Sequence, residues 1–221
     1  MDLEIGIWSH GHSLHRPVEI WEKIIFGEPP HKIGRASLAV LLAIKLGAKL
    51  LGFGTGATKA SDGQIESEVI RDFMLQNFNR LQEFSAFRGI NLPEMKDRIG
   101  KIITVDKESK NTIGEIGEAA KIFRKRGIQA AIFITDAAHA PRLLRDVAEV
   151  FHGKQNSDIL SHFFVTSSEV PYCEGRTVVI DPSHPLNPIL QKLLKLVSIY
   201  PEKTAMLSQE VELLLEKYGL S

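Results

Sequence analysis

Lys101-Ile-Ile-Thr-Val105, running into Asp106-Lys-Glu-Ser-Lys-Asn-Thr-Ile-Gly-Glu115, is the stretch that decides the fold. An apolar run with the length of a buried strand meets a polar loop, and beyond it Ile113, Ile116, Ala120 and Phe123 recur at helical spacing. Strand, loop and amphipathic helix in that order form the repeating unit of α/β proteins, which place their chemistry at this junction. Thr112 and Glu115 have the spacing of a capping box and are expected to cap the helix. Glu108, Ser109 and Asn111 exceed what a cap needs, and an acid, a hydroxyl and an amide together can hold a polar ligand against a helix N-terminus.

The unit repeats along the chain. Residues 3–8, 48–53, 130–135, 163–166 and 177–181 read as further buried strands, with helical patterns between them such as Leu143, Leu144, Val147 and Phe151. This alternation implies right-handed crossovers and a mostly parallel sheet with helices on both faces, a three-layer α/β fold whose ligands bind at the carboxyl ends of the strands. Residues 1–221 are read as one α/β domain. The segment 187–221 is read as a helical C-terminal extension packed on that domain, either covering the sheet or forming a homodimer contact. Residues 27–34, with two prolines, are expected to be a mobile loop.

Composition narrows the partners. The chain has 27 basic and 27 acidic side chains and a formal charge of zero, so no global field draws it to nucleic acid or to an anionic membrane. The longest apolar run, residues 38–44, falls far short of the roughly 20 residues a membrane-spanning helix needs. The single cysteine, Cys173, cannot form an internal disulfide, and no leader-like segment opens the chain. The expectation is a cytoplasmic protein with a small-molecule ligand, and no cofactor is assigned.

With strands in parallel, the loops after them should converge into one pocket. They contribute Ser9-His-Gly-His-Ser-Leu-His15, Gly54-Thr-Gly-Ala-Thr58, the Glu108 loop, and Thr135-Asp-Ala-Ala-His-Ala-Pro-Arg142. Gly54, Thr55 and Gly56 belong either to a backbone cradle for a phosphate or to a tight turn; the loop lacks both the dinucleotide fingerprint and the lysine of a P-loop. Glu66 and Glu68 lie about 200° apart on a helix, so only one can turn inward. His10, His12 and His15 are either metal-binding or simply hydrogen-bonding, since imidazole is a favoured ligand of zinc-like ions but no cysteine stands nearby. His139 is placed at a helix N-cap by Pro141, with Arg142 close behind, an arrangement suited to a general base or an anion clamp. Asp181 and His184 would stand at the rim. No Gly-x-Ser-x-Gly elbow exists, so covalent catalysis by serine has no support.

Arg35 with Ala39 and Leu42, the glycine loop, Glu66 with Ile70, Glu108-Ser-x-Asn-Thr112, and Thr135-x-x-x-His139-x-x-Arg142 together resemble the ordered motifs of the YdcF, SanA and ElyC family. The match spans residues 3–180. The resemblance implies a Rossmann-like fold whose pocket is formed by Arg35, Glu66, Glu108, Ser109, Asn111, Thr112, His139 and Arg142. That family has no settled reaction, and the membrane anchor of several bacterial members has no counterpart here. Asp136 and the histidine-rich first loop depart from its pattern.

Three readings follow. The first is hydrolysis or group transfer on a phosphorylated or nucleotide-like molecule, with Arg35 and Arg142 holding the anion and Glu108 or His139 moving a proton. The second is a non-catalytic module for a nucleotide or S-adenosylmethionine, with Glu66 or Glu108 on ribose hydroxyls. The third is a metal-dependent hydrolase using His10 and His12.

Overall fold

The computed structural model of the chain describes residues 3–11, 14, 18–60, 62–137, 139–153 and 156–170. These lie in one compact unit, Met1–Thr177. The expected strand at 177–181, the extension over 187–221, and with them His12, His15, Cys173, Asp181 and His184 fall outside the described residues.

Five parallel strands form the sheet: β1 (Ile5–Ser9), β4 (Leu50–Phe53), β5 (Ile103–Val105), β6 (Ala130–Thr135) and β7 (His162–Ser167), in the order β5-β4-β1-β6-β7. The chain builds outward from β1 to β4 and β5, then returns to the other side of β1 for β6 and β7. All five overlap runs expected from the sequence, with bounds shifted by one or two residues in β1, β4, β5 and β7. Lys101 and Ile102 close the helix α4 (Leu92–Ile102) instead of opening β5.

Residues 27–34, expected to be a mobile loop, contain a short antiparallel pair, β2 (Gly27–Glu28) with β3 (Lys32–Ile33), around a cis Pro29–Pro30 peptide. Gly27 has φ 116, and a β-carbon there would stand 2.4 Å from the Lys32 carbonyl oxygen, so the turn excludes other residues.

The helices divide between the two faces because successive strand residues point in opposite directions. Ile7, Leu51, Phe53 and Ile134 pack with α1 (Val18–Ile25), α2 (Arg35–Lys45), α3 (Glu66–Gln76) and α4. Trp8, Leu50, Ala131 and Phe133 pack with α5 (Thr112–Arg126) and α6 (Ala140–His152). The inward stripe of α5 is Glu115, Ile116, Ala119, Ala120 and Phe123, while Ile113 and Leu144, counted from the sequence among the apolar faces, are exposed. The architecture is thus a three-layer, Rossmann-like α/β sandwich. Among the described residues, no helix is long and apolar enough to cross a membrane.

Candidate active site

The strand order reverses at β1, and the crevice between the carboxyl ends of β1 and β6 is where a doubly wound sheet opens to ligand. Backbone bonds bring the loops off the sheet at a common level: His10 N–H donates to Ile134 O (2.8 Å), Gly54 N–H to Ser9 O (2.9 Å) and Asp106 N–H to Phe53 O (3.0 Å). The four loops therefore converge as the sequence implied. They enclose a cavity of about 310 Å³, the size of a small-molecule site, lined by His10 and Gly11, by Thr55, Ala57 and Thr58, by Lys110, Asn111, Thr112 and Glu115, and by His139 and Arg142.

The start of α5 differs from the expected capping box. Asn111 is the N-cap, its Oδ1 accepting from Gly114 N–H at 2.8 Å, so Thr112 becomes the first helical residue. Glu115 then stands one position too far along to reach back as a capping acid. It turns inward and is buried, accepting a hydrogen bond from Trp8 Nε1 at 3.0 Å and pairing with His10 Nδ1. A carboxylate can only accept, so the His10 ring donates to it through a proton on Nδ1. Among the described residues, the buried Nε2 of His10 has no hydrogen-bond partner. Buried polar atoms are almost always paired, so an orphan on a pocket wall points to a ligand.

His139 is the N-cap residue of α6, as expected, but its backbone does the work: its N–H donates to Asp136 Oδ1 at 3.1 Å, and the ring makes no capping bond. The imidazole lies beside that of His10, with centroids 5.8 Å apart and planes tilted by 57°. Burial, and then the neighbouring His10, push its pKa down to about 4 against a weaker opposing pull from Asp136. Arg142 reaches the same cavity from the next turn, its exposed guanidinium 3.7 Å from the buried Asp146 carboxylate.

Other residues named from the sequence serve the frame and not the wall. Arg35 is buried, with Nη1 donating to the carbonyls of His10 (3.2 Å) and Gly11 (3.0 Å) and Nη2 to Asp136 Oδ2 (3.0 Å). It braces the first and fourth loops and neutralises Asp136, so the acid that seemed to oppose an anion site is already paired. Ser109 bonds to Thr55 Oγ1 (3.0 Å) and accepts from Gly56 N–H (3.1 Å), tying the second loop to the third. Glu66 is buried at the start of α3 outside the cavity lining, and Glu68 faces out to Lys107, so one acid of the two turns inward. Glu108 is exposed and likewise outside the lining.

The glycines answer to neighbours more than to a phosphate. A β-carbon on Gly52 would meet the Trp8 ring at 2.0 Å, on Gly54 the Glu115 carboxylate at 1.8 Å, and on Gly56 the Lys107 backbone at 2.6 Å. The Gly54–Thr55 peptide is cis. Sequence reasoning missed Glu115 as a site residue because its spacing from Thr112 had a sufficient local explanation. A tryptophan in a strand buried on both faces was the available signal, since its indole N–H needs an acceptor.

Among the described residues, no group of three or more His, Cys, Asp or Glu side chains is arranged to hold a metal ion. Comparisons with family models, with curated proteins and with solved structures gave no match. Fold and site define the class: a Rossmann-like α/β protein with a polar cavity at its switch point.

Proposed function

We propose that the chain is a YdcF-like enzyme that hydrolyses, or transfers a group from, a small phosphorylated molecule. The observation that carries this reading is the composition of one cavity: two imidazoles, His10 and His139, and two cations, Lys110 and Arg142, line it together with the first residues of α5. The dipole at that helix start favours an anion, and Arg142 supplies a planar donor set for phosphate oxygens. His139, held neutral by burial, would activate an attacking water, with His10 fixed beside it by Glu115. A proton-moving role for Glu108 finds no support, because its side chain is exposed outside the cavity. The ribose-holding roles that a binding module required of Glu66 and Glu108 lose support as well, since neither side chain lines the cavity.

The test is a panel of phosphate monoesters, diesters and nucleotides assayed for phosphate release with the full chain, wild type beside Arg142→Ala. Turnover whose KM rises about tenfold or more in the variant is expected, matching the loss of a charge-assisted contact worth roughly 1.5–3 kcal/mol. Absence of turnover on every member of the panel overturns the reading.

A further inference from the structure

We infer that Trp8 is a positioning residue of this cavity: its indole N–H anchors the Glu115 carboxylate that holds His10 in place. The inference reaches beyond the cavity wall, and its kinetic arm rests on the reading of this cavity as the reactive site.

Two strands and one helix build the arrangement. Trp8 near the end of β1 and His10 directly beyond it are two residues apart, so their side chains leave the same face of the sheet, the one that α5 covers. On β4, Trp8 pairs in register with Gly52, and a β-carbon there would stand 2.0 Å from the indole ring. Two residues on, a β-carbon at Gly54 would stand 1.8 Å from Glu115 Oε1. One glycine makes room for the indole and the other for the carboxylate, which enters from α5 to meet both donors.

Those donors converge on one oxygen: Glu115 Oε1 accepts from Trp8 Nε1 at 3.0 Å and pairs with His10 Nδ1. A buried carboxylate without donors is costly, and two bonds to one oxygen fix where this one sits. The donors differ in kind. An imidazole gains and loses protons with pH and in proton transfer, whereas an indole N–H only donates. Trp8 therefore keeps Oε1 in place whatever the state of His10, and His10 stays on the cavity wall beside His139, with ring centroids 5.8 Å apart. Packing alone asks less of this residue. Trp8 is fully buried and meets Phe123 edge-on at 6.0 Å, contacts that a ring without the N–H would keep.

The experiment compares the wild-type full chain with Trp8→Phe and with a chain carrying the benzothiophene analogue of tryptophan at position 8, which keeps the bicyclic shape and lacks the N–H. The first readout is the NMR resonance of His10 Nδ1, which needs no substrate and is expected to move in both altered chains. The second is steady-state kinetics on a phosphate ester that the panel shows to be turned over. There kcat is expected to fall about tenfold or more, as for loss of a hydrogen bond to a charged group, with KM within about twofold because Arg142 still holds the anion. An unmoved His10 resonance in the benzothiophene chain overturns the inference, as does a raised KM with kcat unchanged; the analogue keeps the test decisive if Trp8→Phe does not fold. A moved resonance with no turnover of any ester by wild type defeats the proposed activity and spares the positioning role. Turnover at wild-type kcat with an unmoved resonance defeats the role and spares the activity.

Discussion

Gly54 and Glu115 compete for one space: a β-carbon on Gly54 would lie 1.8 Å from Glu115 Oε1. The second loop can therefore pass over the buried carboxylate only because residue 54 has no side chain. Gly54→Ala is expected to destabilise the fold by about 1–3 kcal/mol or more, as overpacking does, and to abolish activity by displacing Glu115 from His10. Gly117→Ala on the same helix, where a β-carbon meets nothing within 4 Å, is expected to stabilise by roughly 0.5–1 kcal/mol. Thermal unfolding of the pair checks both signs.

Arg35 is the brace between the first and fourth loops. Arg35→Met leaves the buried Asp136 carboxylate without its cation and is expected to cost about 3–5 kcal/mol. Arg35→Met with Asp136→Asn should recover part of that loss, and a double-mutant cycle by denaturant unfolding reads the coupling. Additive losses would show that the two groups do not interact.

His139 gives a pH signature. In the folded protein burial and then His10 hold its pKa near 4, against 6.5 for the free side chain, with Asp136 pulling upward and Arg142 and Arg35 adding to the depression. Between these values the unfolded chain binds a proton that the folded one does not, so stability falls as pH drops from about 6.5 to about 4. An NMR titration of the imidazole is expected to show a midpoint near 4, and the acid loss of stability should shrink in His139→Gln.

The fold was legible because period and length of apolar runs are local properties. The runs at 3–8, 48–53 and 130–135 contain or overlap the strands Ile5–Ser9, Leu50–Phe53 and Ala130–Thr135, and parallel pairing then brought His10, Thr55, Asn111, Thr112, His139 and Arg142 to one edge. What stayed hidden depends on side-chain direction. Nothing in Glu-Ser-Lys-Asn-Thr tells that Glu108 points to solvent, or that Asn111 takes the cap and so frees Glu115 for Trp8 and His10. Arg35 looked like an anion clamp because its charge is visible in sequence, whereas the carbonyls that occupy it are not.

Arg142 and Glu108 can be told apart kinetically. Arg142→Ala should raise KM with a smaller effect on kcat, because it removes a contact to the bound anion. Glu108→Ala, at an exposed position outside the cavity lining, should leave both constants within about twofold, in line with the small effects of most surface substitutions.

The most direct test of the account is kcat/KM of Glu115→Gln relative to wild type on a phosphate ester that the panel shows to be turned over. Glu115 fixes His10 beside His139, so the variant is expected to lose about 100-fold or more while remaining folded by circular dichroism. A folded Glu115→Gln protein with unchanged kcat/KM would contradict the claim that the cavity between β1 and β6 is the reactive site.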